Sequence, residues 1–297
     1  MSSSPTTPAA GPVPSDAPWQ DLFDGRSLAG WRSVPRVYGS LWPQGPSVYE
    51  VAEHLSPDDA ETAARHPASW RVEDGVLIGE QQPHGSGFGG YLLSEATFGD
   101  VELELEVRPD WPADTGVMLR RRPDSWEGFQ VLVDHRRSGS IGGFFGNGLA
   151  SFHAVPYALD VEVDPVTGAP VRLVEEDPAT SLEPFTQAKR DLLDRAGDPA
   201  EFLAAWEFGG WNHLRVLCVG GALPRLTTWV NGVLVAELDT SRVLAEHYDP
   251  AQVAALLGER GHLALEVHDN DARFGDDRWG PGAACRWRNL RIRELGR

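Results

Sequence analysis

The sequence predicts an all-β protein, a sandwich of two antiparallel sheets. Three observations carry this. Stretches of period-two alternation recur at short spacing, as in DVELELEVRP (100–109) and GHLALEVHD (261–269), and such alternation marks strands with one buried face. Asp74-Gly75 and Asn231-Gly232 each separate two such stretches, where a two-residue hairpin needs left-handed backbone. Helix-like sequence is confined to two places, around 56–66 and 183–206, and so reads as insertion. A chain of 297 residues can bury a core of this kind without disulfide staples.

The elements follow in order. Met1 to Pro18 is rich in Ser, Thr, Pro and Ala, with no Lys, Arg or apolar run; it reads as a disordered tail rather than a signal peptide. The rest, 19–297, reads as a single β-sandwich domain with an insertion at about 160–210. WQDLFDGRSLAGW (19–31) is followed by a Pro- and Gly-rich segment, Val34 to Ser47. SPDDAETAARH (56–66) is a helix candidate with Ser56 as N-cap and Pro57 at the first position. SWRVEDGVLIGE (69–80) is a hairpin. In DVELELEVRP, Val101, Leu103, Leu105 and Val107 point inward, and Glu102, Glu104, Glu106 and Arg108 outward. The three carboxylates read as a solvated convex face, because nothing else converges on them.

DTGVMLRRR (114–122) and GFQVLVDHR (128–136) are further strands, and SIGGFFGNG (140–148) is a stretch where backbones approach closely. Asp160 to Asp177 is acidic and irregular. Glu183 to Trp206 reads as helix broken at Gly197-Asp198-Pro199, with Asp198 capping the second piece. WNHLRVLCV (211–219), TTWVNGVLVAEL (227–238), GHLALEVHD and CRWRNLRIREL (285–295) complete the strands.

The net charge of −18 disfavours nucleic acid and anionic membrane as partners and leaves a neutral or cationic small molecule. No segment approaches the roughly 20 apolar residues of a membrane helix, and a cytoplasmic location follows by default. Cys218 and Cys285 lie in predicted strands, as buried thiols or as a disulfide. The 11 tryptophans suggest an aromatic-lined groove as well as a core.

DLFDGRSLAGW near the start, SWRVEDGVLIG in the first hairpin, and WNHLRVLCVGG, TTWVNG, GHLALEVHD and CRWRNLRI in that order near the end resemble the 3-keto-disaccharide hydrolase domain family. The resemblance spans about Trp19 to Leu295, with a looser fit over Asp160 to Gly210. It implies a concanavalin A-like jelly-roll sandwich and a carbohydrate-active enzyme that cleaves 3-keto-glycosides by elimination and hydration, a lyase or hydrolase. The alternative is a non-catalytic carbohydrate-binding module of the same fold. The chain departs from the family at two points. Asp114-Thr115-Gly116 stands where Asn-Ser-Gly is common, and Gln130 where Glu is common.

A ketone at carbon 3 acidifies the hydrogen on carbon 2. Cleavage then needs a base, a donor for the enolate oxygen, and an acid for the leaving group. Glu266 and His268 leave one face of their strand roughly 7 Å apart, a span that suits a base and an acid, or two metal ligands. Asp134 and His135 end their strand as further catalytic candidates, and alternation turns at most one of them, Asp134 with Gln130, into the same groove. Arg120 matches the family's arginine and is expected to bind substrate, as are Gln130, His153 and Trp229, which could also be a core residue. No cofactor motif is present. His262, Glu266, His268, Asp134, His135 and His153 offer donors for a divalent metal, without a tight ligand spacing.

Overall fold

The computed structural model describes residues 17–36, 65–82, 87–270 and 274–296. The predicted tail, up to residue 16, and the helix candidate capped by Ser56, up to residue 64, lie outside these residues. In chain order the strands are β1 (Gln20–Asp21), β2 (Trp31–Pro35), β3 (Ser69–Glu73), β4 (Val76–Glu80), β5 (Gly90–Phe98), β6 (Val101–Pro109), β7 (Ala113–Arg121), β8 (Gly128–His135) and β9 (Ile141–Asn147). They continue as β10 (His153–Ala154), β11 (Leu159–Val163), β12 (Pro170–Glu175), β13 (Arg195–Ala196), β14 (Asn212–Val219), β15 (Arg225–Val230), β16 (Val233–Asp239), β17 (Gly261–Val267) and β18 (Cys285–Glu294). Three short helices are α1 (Gln187–Asp191), α2 (Pro199–Ala205) and α3 (Pro250–Leu257).

The strands form the concanavalin A-like jelly-roll sandwich the sequence predicts. One sheet runs β13-β16-β15-β14-β6-β18-β4-β3, with β1 beside β18, and the other runs β10-β9-β8-β7-β17-β5-β2. Every pairing in both sheets is antiparallel. The core lies between them. Val101, Leu103, Leu105 and Val107 from β6 meet Phe129, Val131 and Val133 from β8 and Leu263, Leu265 and Val267 from β17, all at most 3% exposed. Alternation therefore assigns faces as expected. Both hairpins form on left-handed residues, Asp74 and Gly75 at φ 48° and 80°, Asn231 and Gly232 at 48° and 83°.

The outward face of β6 is paired rather than merely wet. Glu102 meets Arg215 and Arg293, Glu104 meets Arg291, and Glu106 meets Arg288. Close approach in the glycine-dense β9 is real: a Cβ on Gly142 would lie 2.6 Å from Val235. Cys218 and Cys285 are free and buried. In the 160–210 region, β11 and β12 form a separate two-stranded sheet, while β13 extends the edge of the larger main sheet. The helix read over 183–206, broken at Gly197-Asp198-Pro199, forms two pieces divided there, and the first is shorter than expected. Pro184 and Thr186 interrupt the first part, Thr186 caps α1, and Asp198 caps α2 through the Ala200 and Glu201 amides. No helix among the described residues is long and apolar enough to cross a membrane.

Candidate functional site

The outer face of the seven-stranded sheet carries a concentration of polar side chains that the core face lacks. Glu266 and Ala264 on β17, Gln130 and Asp134 on β8, Asp114 and Met118 on β7, Tyr91 and Leu93 on β5, and Asn147 on β9 share it by register and parity. A small apolar cluster of Val34, Tyr91, Leu93, Met118 and Ala264 floors it.

Glu266 is the centre. It has no exposed surface, yet both carboxylate oxygens are satisfied: Arg36 Nε donates to Oε1 at 2.8 Å, and Gln130 Nε2 donates to Oε2. Asn147 Nδ2 in turn donates to Gln130 Oε1 at 2.8 Å, which fixes the amide's orientation. Arg36 Nε also lies 3.2 Å from the Tyr91 hydroxyl. Burial, reinforced by the Glu266 charge, pushes the Tyr91 phenol up, so it stays protonated. The Arg121 guanidinium lies 4.5 Å from the centroid of the Tyr91 ring.

His268 follows on the same face, its side chain 13% exposed. Its Nδ1 lies 2.7 Å from the Asp269 carbonyl and 3.1 Å from the Asp269 carboxylate, and its Nε2 lies 3.6 Å from Asp114 Oδ2. Nδ1 is also approached by a donor, Arg36 Nη1 at 3.2 Å, and Arg36 is held there by its ion pairs with Glu266 and Asp269.

Asp114 and Asp134 are cross-strand partners, so two buried carboxylates sit side by side. Burial pushes Asp134 well up, Arg136 pulls it back, and the neighbouring Asp114 pushes it further up. Burial also opposes ionisation of Asp114, but His268, Arg278 and Arg136 outweigh it and hold that carboxyl below its usual range. Burial and its neighbour thus favour the neutral form of Asp134, and the surrounding cations favour the ionised form of Asp114. Arg278 reaches Asp114 at 2.5 Å, and the Phe274 ring lies 4.5 Å from Arg278 and 4.7 Å from Arg136.

Glu266, His268, Asp134 and Gln130 therefore converge as the alternation implied, and His153 lies at the β10 edge of the same sheet. Three expected residues do not. Arg120 sits at φ 55° in a bulge, where Leu119 and Arg120 of β7 oppose Leu263 alone. The bulge reverses the parity. Arg120 turns to Asp100, at 3.0 Å, and lies beside Cys218, whereas Arg121 takes the groove face. His135 faces away from Asp134, its Nδ1 2.8 Å from the Asp110 carbonyl, among the rings of Trp111, Trp206 and Phe208. Burial in that apolar cage lowers its pKa to about 4. Trp229 lies in the other sheet, its ring 4.4 Å from the guanidinium of Arg215, which pairs with Glu102 on that sheet's outer face.

The suggested metal donors are split likewise. His262 Nδ1 is held by the Ser94 carbonyl at 2.7 Å, and His135 is across the sheet. Among the described residues no three His, Cys, Asp or Glu side chains are placed to hold an ion, and the groove carboxylates have arginine partners. Sequence reasoning missed Arg36, Tyr91, Arg121, Asn147, Arg136 and Glu183. Parity extended two residues from Asp134 would have found Arg136. Arg36 lies one residue past Pro35, where the periodic signal ends.

A family model described as 3-keto-alpha-glucoside-1,2-lyase-like domain matches residues 18–293. No curated protein matches the chain. Among solved structures, two glycosyl hydrolase-like proteins from Parabacteroides distasonis ATCC 8503 are similar. One is 16% identical over 94% of this chain and 100% of that one, with a TM-score of 0.47. The other is 14% identical over 94% of each, with a TM-score of 0.44. A carbohydrate binding module from Bacillus subtilis is 14% identical over 76% of this chain and 92% of that one, with a TM-score of 0.39.

Proposed function

The chain belongs to the 3-keto-alpha-glucoside-1,2-lyase-like domain family, and we propose that it cleaves 3-keto-glycosides by elimination across carbons 1 and 2, followed by addition of water. Family membership makes it a carbohydrate-active, glycosyl hydrolase-like protein; the 3-keto specificity and the residue roles are our reading. The observation that carries it is the single guanidinium of Arg36 set against both Glu266, at 2.8 Å, and His268, at 3.2 Å. A base and an acid are held on one sheet face with a cation between them.

In this reading Glu266 takes the proton from carbon 2. The electron pair moves onto the carbon 3 oxygen, where Arg121 supplies positive charge to the enolate. When the carbonyl re-forms, the double bond closes between carbons 1 and 2, and the bond from carbon 1 to the glycosidic oxygen breaks. His268 gives the leaving oxygen its proton, oriented by Asp269 at Nδ1 and by Asp114 at Nε2. Water then adds to carbon 1 and a proton returns to carbon 2. Arg36 and Gln130 each hold one carboxylate oxygen and so fix the orientation of the Glu266 carboxyl.

One observation favours a second reading, a carbohydrate-binding module without turnover. Glu266 is fully buried and fully hydrogen-bonded, as a structural carboxylate would be. Assay of the purified protein on a 3-keto-glucoside and on its parent glucoside separates the readings. The proposal expects cleavage of the keto substrate alone, with solvent deuterium incorporated at carbon 2. Equal cleavage of both substrates would point to a paired-carboxylate glycosidase. Saturable binding of the keto sugar without cleavage would point to the module.

A further inference from the structure

The buried guanidinium of Arg136, 1% exposed, is shared by carboxylates from three parts of the chain. Its Nε lies 2.8 Å from Asp134 Oδ1 and 3.8 Å from Asp114 Oδ2, and its Nη2 donates to Glu183 Oε2 at 2.9 Å. The contact with Asp134 is close but out of line, so neither Arg136 Nε nor Asp134 Oδ1 makes a hydrogen bond in it. The well-aligned bond goes to Glu183. Glu183 comes from the 160–210 region, the part of the chain where the family resemblance is loosest, and its other oxygen faces His153 at 3.3 Å and Lys189 at 3.5 Å.

We propose that Glu183 is a positioning residue for the acid end of the groove: by competing with Asp134 for Arg136, it sets how many protons the Asp114–Asp134 pair carries beside His268. The assignment of that pair to the reacting site rests on the function proposed above; the electrostatic coupling does not. The groups facing Asp134 are Arg136 on its own strand's extension, Asp114 on β7 with His268 behind it, Arg278 from the turn after 277, and Glu183. His153 and Lys189 lie behind Glu183. Arg136 is the cation that Asp134 and Glu183 share, and its aligned hydrogen bond goes to Glu183. Glu183 has its own cations in His153 and Lys189, and it stays ionised despite its burial, because the hydrogen bond and charge of His153 and then Arg136 and Lys189 hold its carboxyl far below the usual range. Asp134, left without an aligned bond from Arg136, is the carboxyl whose neutral form burial favours. The 160–210 region thus acts through Arg136 to keep an acid in the groove.

The test is carboxyl carbon NMR titration of the full chain, with Asp134 assigned by Asp134→Asn. In Glu183→Gln, Arg136 should turn to Asp134, and the Asp134 midpoint should fall by about one pH unit or more; Glu183→Asp should restore part of it. The alkaline limb of the activity profile should move down with it. A purely structural Glu183 would lower the melting temperature and leave the midpoint where it was, and an unchanged midpoint in a folded Glu183→Gln overturns the proposal. Should that variant not fold, Lys189→Met carries the test. Removing a cation from Glu183 must raise the Asp134 midpoint, and a fall or no change overturns the proposal. A shifted midpoint in a protein inactive on 3-keto-glucosides would sink the proposed function and leave this coupling standing.

Discussion

Arg36 and Glu266 are separated by 230 residues in sequence and by 2.8 Å in space. The pair ties the edge strand β2 to β17 across β5, with 5% and 0% of the two side chains exposed. Burying such a pair yields little net stability, but breaking it leaves an uncompensated charge. Arg36→Met should therefore cost roughly 3–5 kcal/mol, read as a lower midpoint in urea. Arg36→Lys should recover only part, since a single ammonium cannot reach Glu266, Asp269 and Tyr91 together. A midpoint within error of wild type for Arg36→Met would show that the pair is dispensable.

The His135 cage gives a pH dependence of definite sign. Its folded pKa, about 4, lies below the ordinary 6.5. The unfolded chain therefore takes up the proton first as pH falls. The stability is full above about pH 6.5 and is lost on descending toward pH 4, with on the order of 3 kcal/mol at stake. His135→Phe keeps the cage filled and removes the titration. Denaturant melts at pH 7 and pH 4.5 should show a smaller drop for His135→Phe than for wild type. Equal drops would mean that other groups control acid unfolding.

Much of the fold and part of the site were legible because period-two alternation is local. Leu263, Leu265 and Val267 fix the core face of β17, so Glu266 and His268 must share the other, and the same logic paired Gln130 with Asp134. Two kinds of information were not local. A single left-handed residue, Arg120, reverses the parity beyond it, and no glycine or asparagine signals the bulge. The partners of Glu266, Asp114 and Asp134 arrive from β2, the turn near Phe274 and the 160–210 region, and only the folded chain brings these together. Sequence placed Glu266 on the groove face without its full burial, because alternation tells which face a side chain takes and not whether that face is covered.

The exchange of roles between Arg120 and Arg121 separates stability from function. Arg120→Gln should destabilise, because it breaks a buried ion pair with Asp100 beside Cys218, and should leave the Michaelis constant near wild type. Arg121→Gln removes a charge from the groove face beside Tyr91. It should lower kcat/KM on a 3-keto-glucoside by about 10²-fold, as loss of one oxyanion donor does. The reverse outcome would place the bulge elsewhere.

Trp229→Ala should leave sugar binding unchanged, because Trp229 lies on the other sheet against Arg215. It should cost about 1 kcal/mol, since the lost cation–π contact and packing lie on a half-exposed face. Isothermal titration with a keto sugar decides this; a tenfold weaker Kd would locate a second binding face on the larger sheet.

Glu266 and His268 can be separated by conservative changes. Glu266→Gln keeps the volume and removes the base, so kcat on a 3-keto-glucoside should fall by about 10²–10⁴-fold. Because the carboxylate is buried against Arg36, the same change should also destabilise, by roughly 1–3 kcal/mol, as Arg36 loses one charged partner and keeps Asp269. Activity must therefore be measured well below the melting midpoint, where both proteins are folded. His268→Asn, at a partly exposed position, should lower kcat with little change in stability. Its deficit should shrink for a substrate whose leaving group is acidic enough to depart unprotonated, such as a 3-keto-nitrophenyl glucoside, while the Glu266→Gln deficit should persist. That crossed dependence follows from a base acting at carbon 2 and an acid acting at the glycosidic oxygen. If both variants lose activity equally on both substrates, His268 does not protonate the leaving group, and Asp134 becomes the acid to test.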